Sequence, residues 1–219
     1  MRRTSSGIRK QRYIALQPIF DRERQVFGYE ALCRDTNRNR FTGDSRTATE
    51  GIIKDWLLDG LDRFTDEKPV FLNCTREDLL EFPTTLPVST VPEVLETVQV
   101  DDEVEDACRR IKNFGHRIAL DDFQLHENNH KLIEIADYIK VDFRLDGKEQ
   151  RRELLASLRD LRALLIAEKI ETREELEAAL EEGFDLFQGY YLARPILLSR
   201  GGMHSFWLNH IRMRRPFRF

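Results

Sequence analysis

The segment RIALDDFQLHENNHKLIEIADYIKVDF, residues 117–143, reads as strand, helix, strand. RIALDDF (117–123) and YIKVDF (138–143) are short apolar runs of strand length, and ENNHKLIEIA (127–136) between them reads as a helix. Two strands joined by a helical crossover lie parallel in one sheet. In YIKVDF, Lys140 and Asp142 have the opposite parity to Ile139, Val141 and Phe143. Side chains alternate across a strand, so an apolar set packed on surrounding helices leaves the charged pair pointing into a barrel. An unpaired charge there is costly. Asp121 and Asp122, adjacent like charges straight after Ile118-Ala119-Leu120, pose the same problem.

The alternation continues in both directions. Upstream, YIALQPIFDRERQVFGYEALCR (13–34) reads as two strands joined by a polar turn, hence antiparallel. SRTATEGIIKDWLLDGLDRF (45–64) has Ile52, Ile53, Trp56, Leu57, Leu61 and Phe64 at helical spacing. PVFLNC (69–74) is a strand, REDLLEF (76–82) a brief helix and VPEVLETV (91–98) a strand. DDEVEDACRRIKNFG (101–115) is a helix, with Asp102 and Glu105 expected to form a capping box and Gly115 at C′. Downstream come helix KEQRRELLASLRDLR (148–162) and strand LLIAEKI (164–170). Helix TREELEAALEEG follows (172–183, N-cap Thr172, C′ Gly183), then LFQGYY (186–191) as the last strand.

Eight strands, with crossovers everywhere but the first connection, predict an α/β fold: a modified TIM-type (β/α)8 barrel with one antiparallel strand. It occupies about 180 residues, where roughly 250 is typical. The expected organisation is a basic extension (1–12), one barrel domain (13–198) and a basic, aromatic tail (199–219), with no internal repeat or linker.

Composition narrows the function. The chain has 219 residues with 41% hydrophobic and 34% charged, ordinary for a single soluble core. No apolar run reaches the roughly 18 residues of a membrane span, and the basic N-terminus leads into no signal-type stretch; a cytoplasmic protein is expected. The net charge of −4 hides five Arg/Lys and no acid in 1–12, and five Arg and no acid in 200–219. The middle therefore carries 25 bases against 39 acids. An acidic body argues against a nucleic-acid polymer as partner. Cys33, Cys74 and Cys108 form no CxxC pair and suit a reducing compartment. His126 and His130 stand at i, i+4 spacing in a polar context, which reads as a solvated face before it reads as a metal pair.

The chemistry collects at the strand ends, which in a β/α barrel share one mouth. They read Glu30, Asn73, Glu93 and Glu96, Asp121 and Asp122, Lys140 and Asp142, Glu168 and Glu171, and Gln188. The bland reading, solvated loops and helix caps, suits Asp101 and Asp102. It does not suit the rest: carboxylates crowded at one mouth repel unless cations neutralise them, and hard oxygen donors favour Mg²⁺ or Mn²⁺ over zinc.

These residues resemble the EAL domain family, which hydrolyses cyclic di-GMP. The resemblance runs from about Tyr13 to Pro195 through LQPIFD, Glu30-Ala31-Leu32 with Arg34, FLNC, EVLE, ALDDF, IKVDF, AEKIET and FQGYYLARP, in the family's order. QPIFD, AEKIET and GFDLFQGYY look closest to the subgroup whose barrel is usually followed by an HDOD domain; the sequence runs 24 residues beyond Pro195. The resemblance implies Glu30, Asn73, Glu93 and Asp121 as ligands of one Mg²⁺ or Mn²⁺, and Asp121, Asp122 and Glu168 as ligands of a second. Lys140, Glu30 and Gln188 would be catalytic, with Lys140 orienting or deprotonating the attacking water and Gln188 helping to hold it. Arg34 would pair with a substrate phosphate, for which its planar fork is suited, and Gln17 would contact a guanine. Glu96 and Glu171 would hold the loop after ALDDF. Two-metal chemistry would lower the pKa of a water and stabilise in-line attack at phosphorus, giving linear pGpG.

Two departures from the family pattern bear on turnover. The loop after ALDDF, FQLHENNHK, lacks the family's glycines, and only 20 positions separate Asn73 from Glu93. No ligand is lost, so an active phosphodiesterase is the reading taken. The alternatives are an inactive module that senses cyclic di-GMP and one that contacts protein partners. A homodimer is a further expectation. Phe206, Trp207, Ile211 and Met213 with the tail arginines suit a protein partner, an anionic membrane surface, or packing under the barrel as a closing helix.

Overall fold

The computed structural model describes residues 13–34, 65–122, 130–144 and 147–198. Strands β1 (Tyr13–Asp21) and β2 (Val26–Arg34) form an antiparallel pair. Then follow β3 (Val70–Cys74), α1 (Arg76–Leu80), β4 (Thr90–Val94), α2 (Asp102–Asn113) and β5 (Ala119–Leu120). After these come α3 (His130–Ile133), β6 (Tyr138–Asp142), α4 (Lys148–Leu158), β7 (Leu164–Glu168), α5 (Arg173–Glu182), β8 (Leu186–Phe187) and β9 (Ile196–Leu198). The predicted helix over 45–64 lies outside the described residues. Among the described residues no helix is long and apolar enough to cross a membrane.

The sheet closes. Strands β2 to β8 pair in sequence order, each parallel to the next, and β1 pairs antiparallel with both β2 and β8. This is the expected eight-stranded barrel with one antiparallel strand. A ninth strand was not anticipated. Because β8 meets β1 only at Phe20 and Asp21, the earlier part of the same β1 edge is left to β9, which pairs with Ile14, Ala15 and Leu16. The three-residue strand thus covers hydrogen-bonding groups that would otherwise form an open edge.

Element limits differ from expectation where polar chemistry interrupts the ladder. The fourth strand begins at Thr90 and stops at Val94, because Leu95–Val98 closes a turn (Val98 N–H to Leu95 O, 3.0 Å). The fifth is only Ala119–Leu120, since Asp122 turns left-handed (φ 41). The expected capping box of Asp102 with Glu105 does not form: Asp101 is the N-cap of α2 and accepts from Val104 N–H at 2.9 Å. Asp102 is instead paired with Lys131, and Glu105 with Arg109 and Lys131. Gly115 takes the left-handed conformation beyond α2 (φ 92), as expected. Helix α5 starts in a full Thr172–Glu175 capping box and stops at left-handed Gly183.

Two apolar layers build the fold. Inside the barrel, Ile19, Phe71, Val91, Ala119, Tyr138, Ile166 and Leu186 form a plug with one residue from each of seven strands. The eighth strand has Gly28 opposite Ile19, and a Cβ there would lie 2.6 Å from Pro69 O. Outside, residues such as Val70, Leu72, Val104, Ile111, Ile139, Val141, Leu154 and Leu176 pack sheet against helices. A filled interior means that ligands are held at the rim of the barrel, not within it.

Candidate active site at the barrel mouth

The strand period of two turns the plug into a site. Two residues above each plug position, on the same face, stand Gln17 (β1), Glu30 (β2), Asn73 (β3), Glu93 (β4), Asp121 (after β5), Lys140 (β6), Glu168 (β7) and Gln188 (after β8). Each of the eight barrel strands, β1 to β8, therefore contributes one polar side chain to a single tier at the C-terminal mouth of the parallel strands. The inward parity expected of Lys140 is what the structure shows: Tyr138, two residues before it, belongs to the barrel plug, whereas Ile139 and Val141 pack in the outer layer.

Lys140 organises this tier. Its Nζ lies 2.7 Å from Glu168, 2.8 Å from Glu93, 3.2 Å from Asp121 and 3.7 Å from Glu30. Glu30 is held from both sides, by Gln188 Nε2 donating at 2.6 Å and Asn73 Nδ2 at 3.3 Å. Burial works against the Lys140 charge, but the carboxylates of Glu168, Glu30, Glu93 and Asp121 outweigh it and hold the ammonium well above the ordinary lysine range. Burial pushes Glu93 well up despite Lys140, and pushes Glu168 up to about 8 against the same lysine. The tier sets four carboxyl groups around a single ammonium.

A second grouping overlaps it. One oxygen from each of Asp121, Asp122 and Glu168 lies within 4.8 Å of the others. In an extended strand Asp121 and Asp122 would face opposite ways; the left-handed backbone at Asp122 brings both to the mouth. Burial, then Asp121, raises the Asp122 carboxyl. Lys169, also left-handed (φ 57), reaches Asp142 at 2.6 Å and Asp122 at 3.2 Å.

Divalent cations fit this donor set. Asn73 Oδ1, Glu93 Oε2 and Gln188 Oε1 are buried without hydrogen-bond partners. Such atoms are rare unless a ligand or water completes them. With the converging carboxylates they make an all-oxygen environment suited to hard cations.

The remaining expected residues divide. Gln17 is buried and paired in register with Glu30. Arg34 ends β2 at the mouth, but its side chain lies outside the described residues. Glu96 is exposed after β4, and Glu171 is paired with Arg144 at 2.7 Å. The loop both were expected to hold lies outside the described residues from 123 to 129, as does His126. Cys74 and Cys108 are buried and free; burial raises Cys74 well above its usual range and Cys108 to about 12.

Three supports were not foreseen. Gly189 lets the turn after β7 cross directly over Gln188, where Ile170 N–H donates to Gln188 O (3.1 Å) and Tyr191 N–H to Ile170 O (3.0 Å). A Cβ on Gly189 would lie 2.0 Å from Ile170 O. Arg151 clamps α4 to α5 through Glu182, donates to Phe143 O at 3.0 Å, and stacks on the Phe143 ring. Lys169 escaped notice because strand parity points it away from the mouth. No local signal announces a left-handed lysine.

The EAL domain family model matches residues 77–195, which include Glu93, Asp121, Asp122, Lys140, Glu168 and Gln188. Two curated relatives are similar over most of the chain. The Bacillus subtilis (strain 168) uncharacterized protein YuxH is 34% identical over 85% of this chain and 48% of its own length. The Vibrio cholerae serotype O1 cyclic di-GMP phosphodiesterase CdgJ is 30% identical over 86% of this chain and 45% of its own length. The chain thus spans about half the length of these relatives. Among solved structures, an EAL domain protein from Listeria monocytogenes EGD-e superposes with a TM-score of 0.71 at 19% identity, covering 90% of this chain and 95% of that one. The manganese and cyclic di-GMP complex of Klebsiella pneumoniae BlrP1 superposes at 0.69 with 22% identity, covering 89% and 58%. These two likenesses establish the barrel fold.

Proposed function

The chain belongs to the EAL domain family, and we propose from that premise that it is a divalent-metal-dependent phosphodiesterase opening cyclic di-GMP to linear pGpG. What carries the reading is the tier itself: a buried lysine within 3.7 Å of four carboxylates, ringed by orphaned oxygen donors. The relative CdgJ acts on this dinucleotide, and BlrP1 holds it together with manganese.

Glu30, Asn73, Glu93 and Asp121 would hold one Mg²⁺ or Mn²⁺, and Asp121, Asp122 and Glu168 a second. When bound, the cations supply Lewis acidity, lowering the pKa of an attacking water and offsetting phosphate charge. Lys140 would orient or deprotonate the attacking water, its Nζ being held among four carboxylates. Gln188 fixes Glu30 through Nε2 and leaves Oε1 to accept from water. Arg34 at the end of β2 would grip a substrate phosphate, and Gln17 the guanine side. Glu96 and Glu171 would steady the loop after Asp122.

The free cysteines support a cytoplasmic setting. A homodimer, protein partner or membrane-surface contact through the basic tail stays with this proposal, the tail lying outside the described residues.

The test is incubation with cyclic di-GMP and either metal, with products separated by chromatography. EDTA should abolish pGpG formation, Mg²⁺ or Mn²⁺ should restore it, and Ca²⁺ should serve poorly. Full activity in excess chelator sinks the metal-dependent reading. Tight binding without pGpG in either metal favours a cyclic di-GMP sensor, and neither binding nor cleavage leaves a protein-interaction module.

A further inference from the structure

Lys169 belongs neither to the tier nor to the ligand sets. It follows Glu168 in a left-handed conformation (φ 57), and Asp122 follows Asp121 in another (φ 41). Each breaks the strand alternation and swings a side chain over the mouth that a regular strand would turn away. Lys169 Nζ meets Asp142 Oδ2 at 2.6 Å and the two Asp122 oxygens at 3.2 and 3.3 Å. Asp122, Asp142 and Lys169 therefore line the adjoining ends of β5, β6 and β7, beside the converging oxygens of Asp121, Asp122 and Glu168. The lysine side chain is 49% exposed, unlike Lys140 at 1%. It is an ammonium on a flexible stem, able to withdraw into water while Asp142 offers it a partner away from Asp122.

We infer that Lys169 is a tethered cation competing with the divalent ion at Asp121, Asp122 and Glu168, so that its charge sets the affinity of that position. The inference rests on the metal-dependent reading above. An ammonium on Asp122 satisfies negative charge that a divalent ion needs, and an incoming ion must either displace it or bind beside it. Both routes weaken binding. For a unit charge about 6 Å from a divalent ion in a water-screened mouth, the Coulomb cost corresponds to roughly tenfold in affinity.

The experiment is a Mn²⁺ titration of chelator-stripped full chain, following free Mn²⁺ by electron paramagnetic resonance and folding by melting temperature. Lys169→Arg should bind as wild type does. Lys169→Met should tighten one Mn²⁺ roughly tenfold. Lys169→Gly should do the same, and glycine accepts a positive φ without strain, so it keeps the test valid where Lys169→Met fails to fold. In an Asp122→Asn background the Lys169→Gly gain should shrink to within twofold. Wild-type affinity, or weaker, in both charge-removing variants overturns the inference while leaving the metal-dependent reading standing. No Mn²⁺ binding by wild type or any variant removes both.

Discussion

Lys140 is held by four carboxylates, and in the proposed reaction it would orient the attacking water as well as offset a buried acidic ring. Lys140→Ala should therefore lower turnover on the order of 10²–10⁴-fold while cyclic di-GMP affinity stays within several-fold. A turnover loss below about tenfold would remove Lys140 from the reaction. Removing one partner of a buried pair typically costs about 3–5 kcal/mol, so the metal-free variant should also melt lower than wild type. Lys140 was legible because parity betrays it: Lys140 and Asp142 alternate with Ile139, Val141 and Phe143. Lys169 was not legible, because a left-handed residue obeys no parity and nothing around it marks the turn.

At the scale of elements, the turn after β7 and the end of β8 are locked by a close approach. Gly189→Ala would drive a methyl to within 2.0 Å of Ile170 O and move Gln188 or the Glu168–Ile170 turn. We expect about 1–3 kcal/mol lost stability, as overpacking commonly costs, together with loss of hydrolysis. Gly183→Ala, where nothing lies within 4 Å, carries only the penalty of a positive φ, about 1 kcal/mol. It should leave kcat unchanged. Equal effects of the two on turnover, measured beside denaturant melts, would refute the lock. Strand and helix identity was readable from β1 to β8 within the described residues, since the crossovers are short and the apolar runs clean. Limits were less so: β5 and β8 shrink to two residues because the chain leaves the ladder at Asp121 and Gln188 to build the site. Asp101 rather than Asp102 caps α2, because either aspartate suits the position and only Arg76, reaching across from α1, distinguishes them. The pairing of β9 with β1 depends on how far β8 extends, which no local pattern in Ile196–Leu198 reveals.

For the whole molecule, the acidic mouth ties stability to pH and, under the proposed function, to metal. The Glu168 carboxyl sits at about 8 when folded, against an ordinary value of 4.5. Its contribution to stability is fully present below 4.5 and is lost as pH rises through 8, because the unfolded chain ionises first. The chelated protein should thus show a falling melting temperature from pH 5 to 8.5, and millimolar Mg²⁺ should raise it most at the alkaline end, where the proton no longer competes. A melting curve indifferent to Mg²⁺ at pH 8.5 would argue against cation binding at the mouth. The closure of the barrel by β1 has a consequence in time. Two of its three neighbours, β2 and β8, stand at opposite ends of the barrel sequence, so a chain emerging from the ribosome holds Gln17 and Glu30 long before Gln188. Until β8 docks, Glu30 lacks its shortest hydrogen bond and the ring of donors is open on one side. Under the proposed function, metal and nucleotide binding would accordingly wait until Gln188 has reached Glu30.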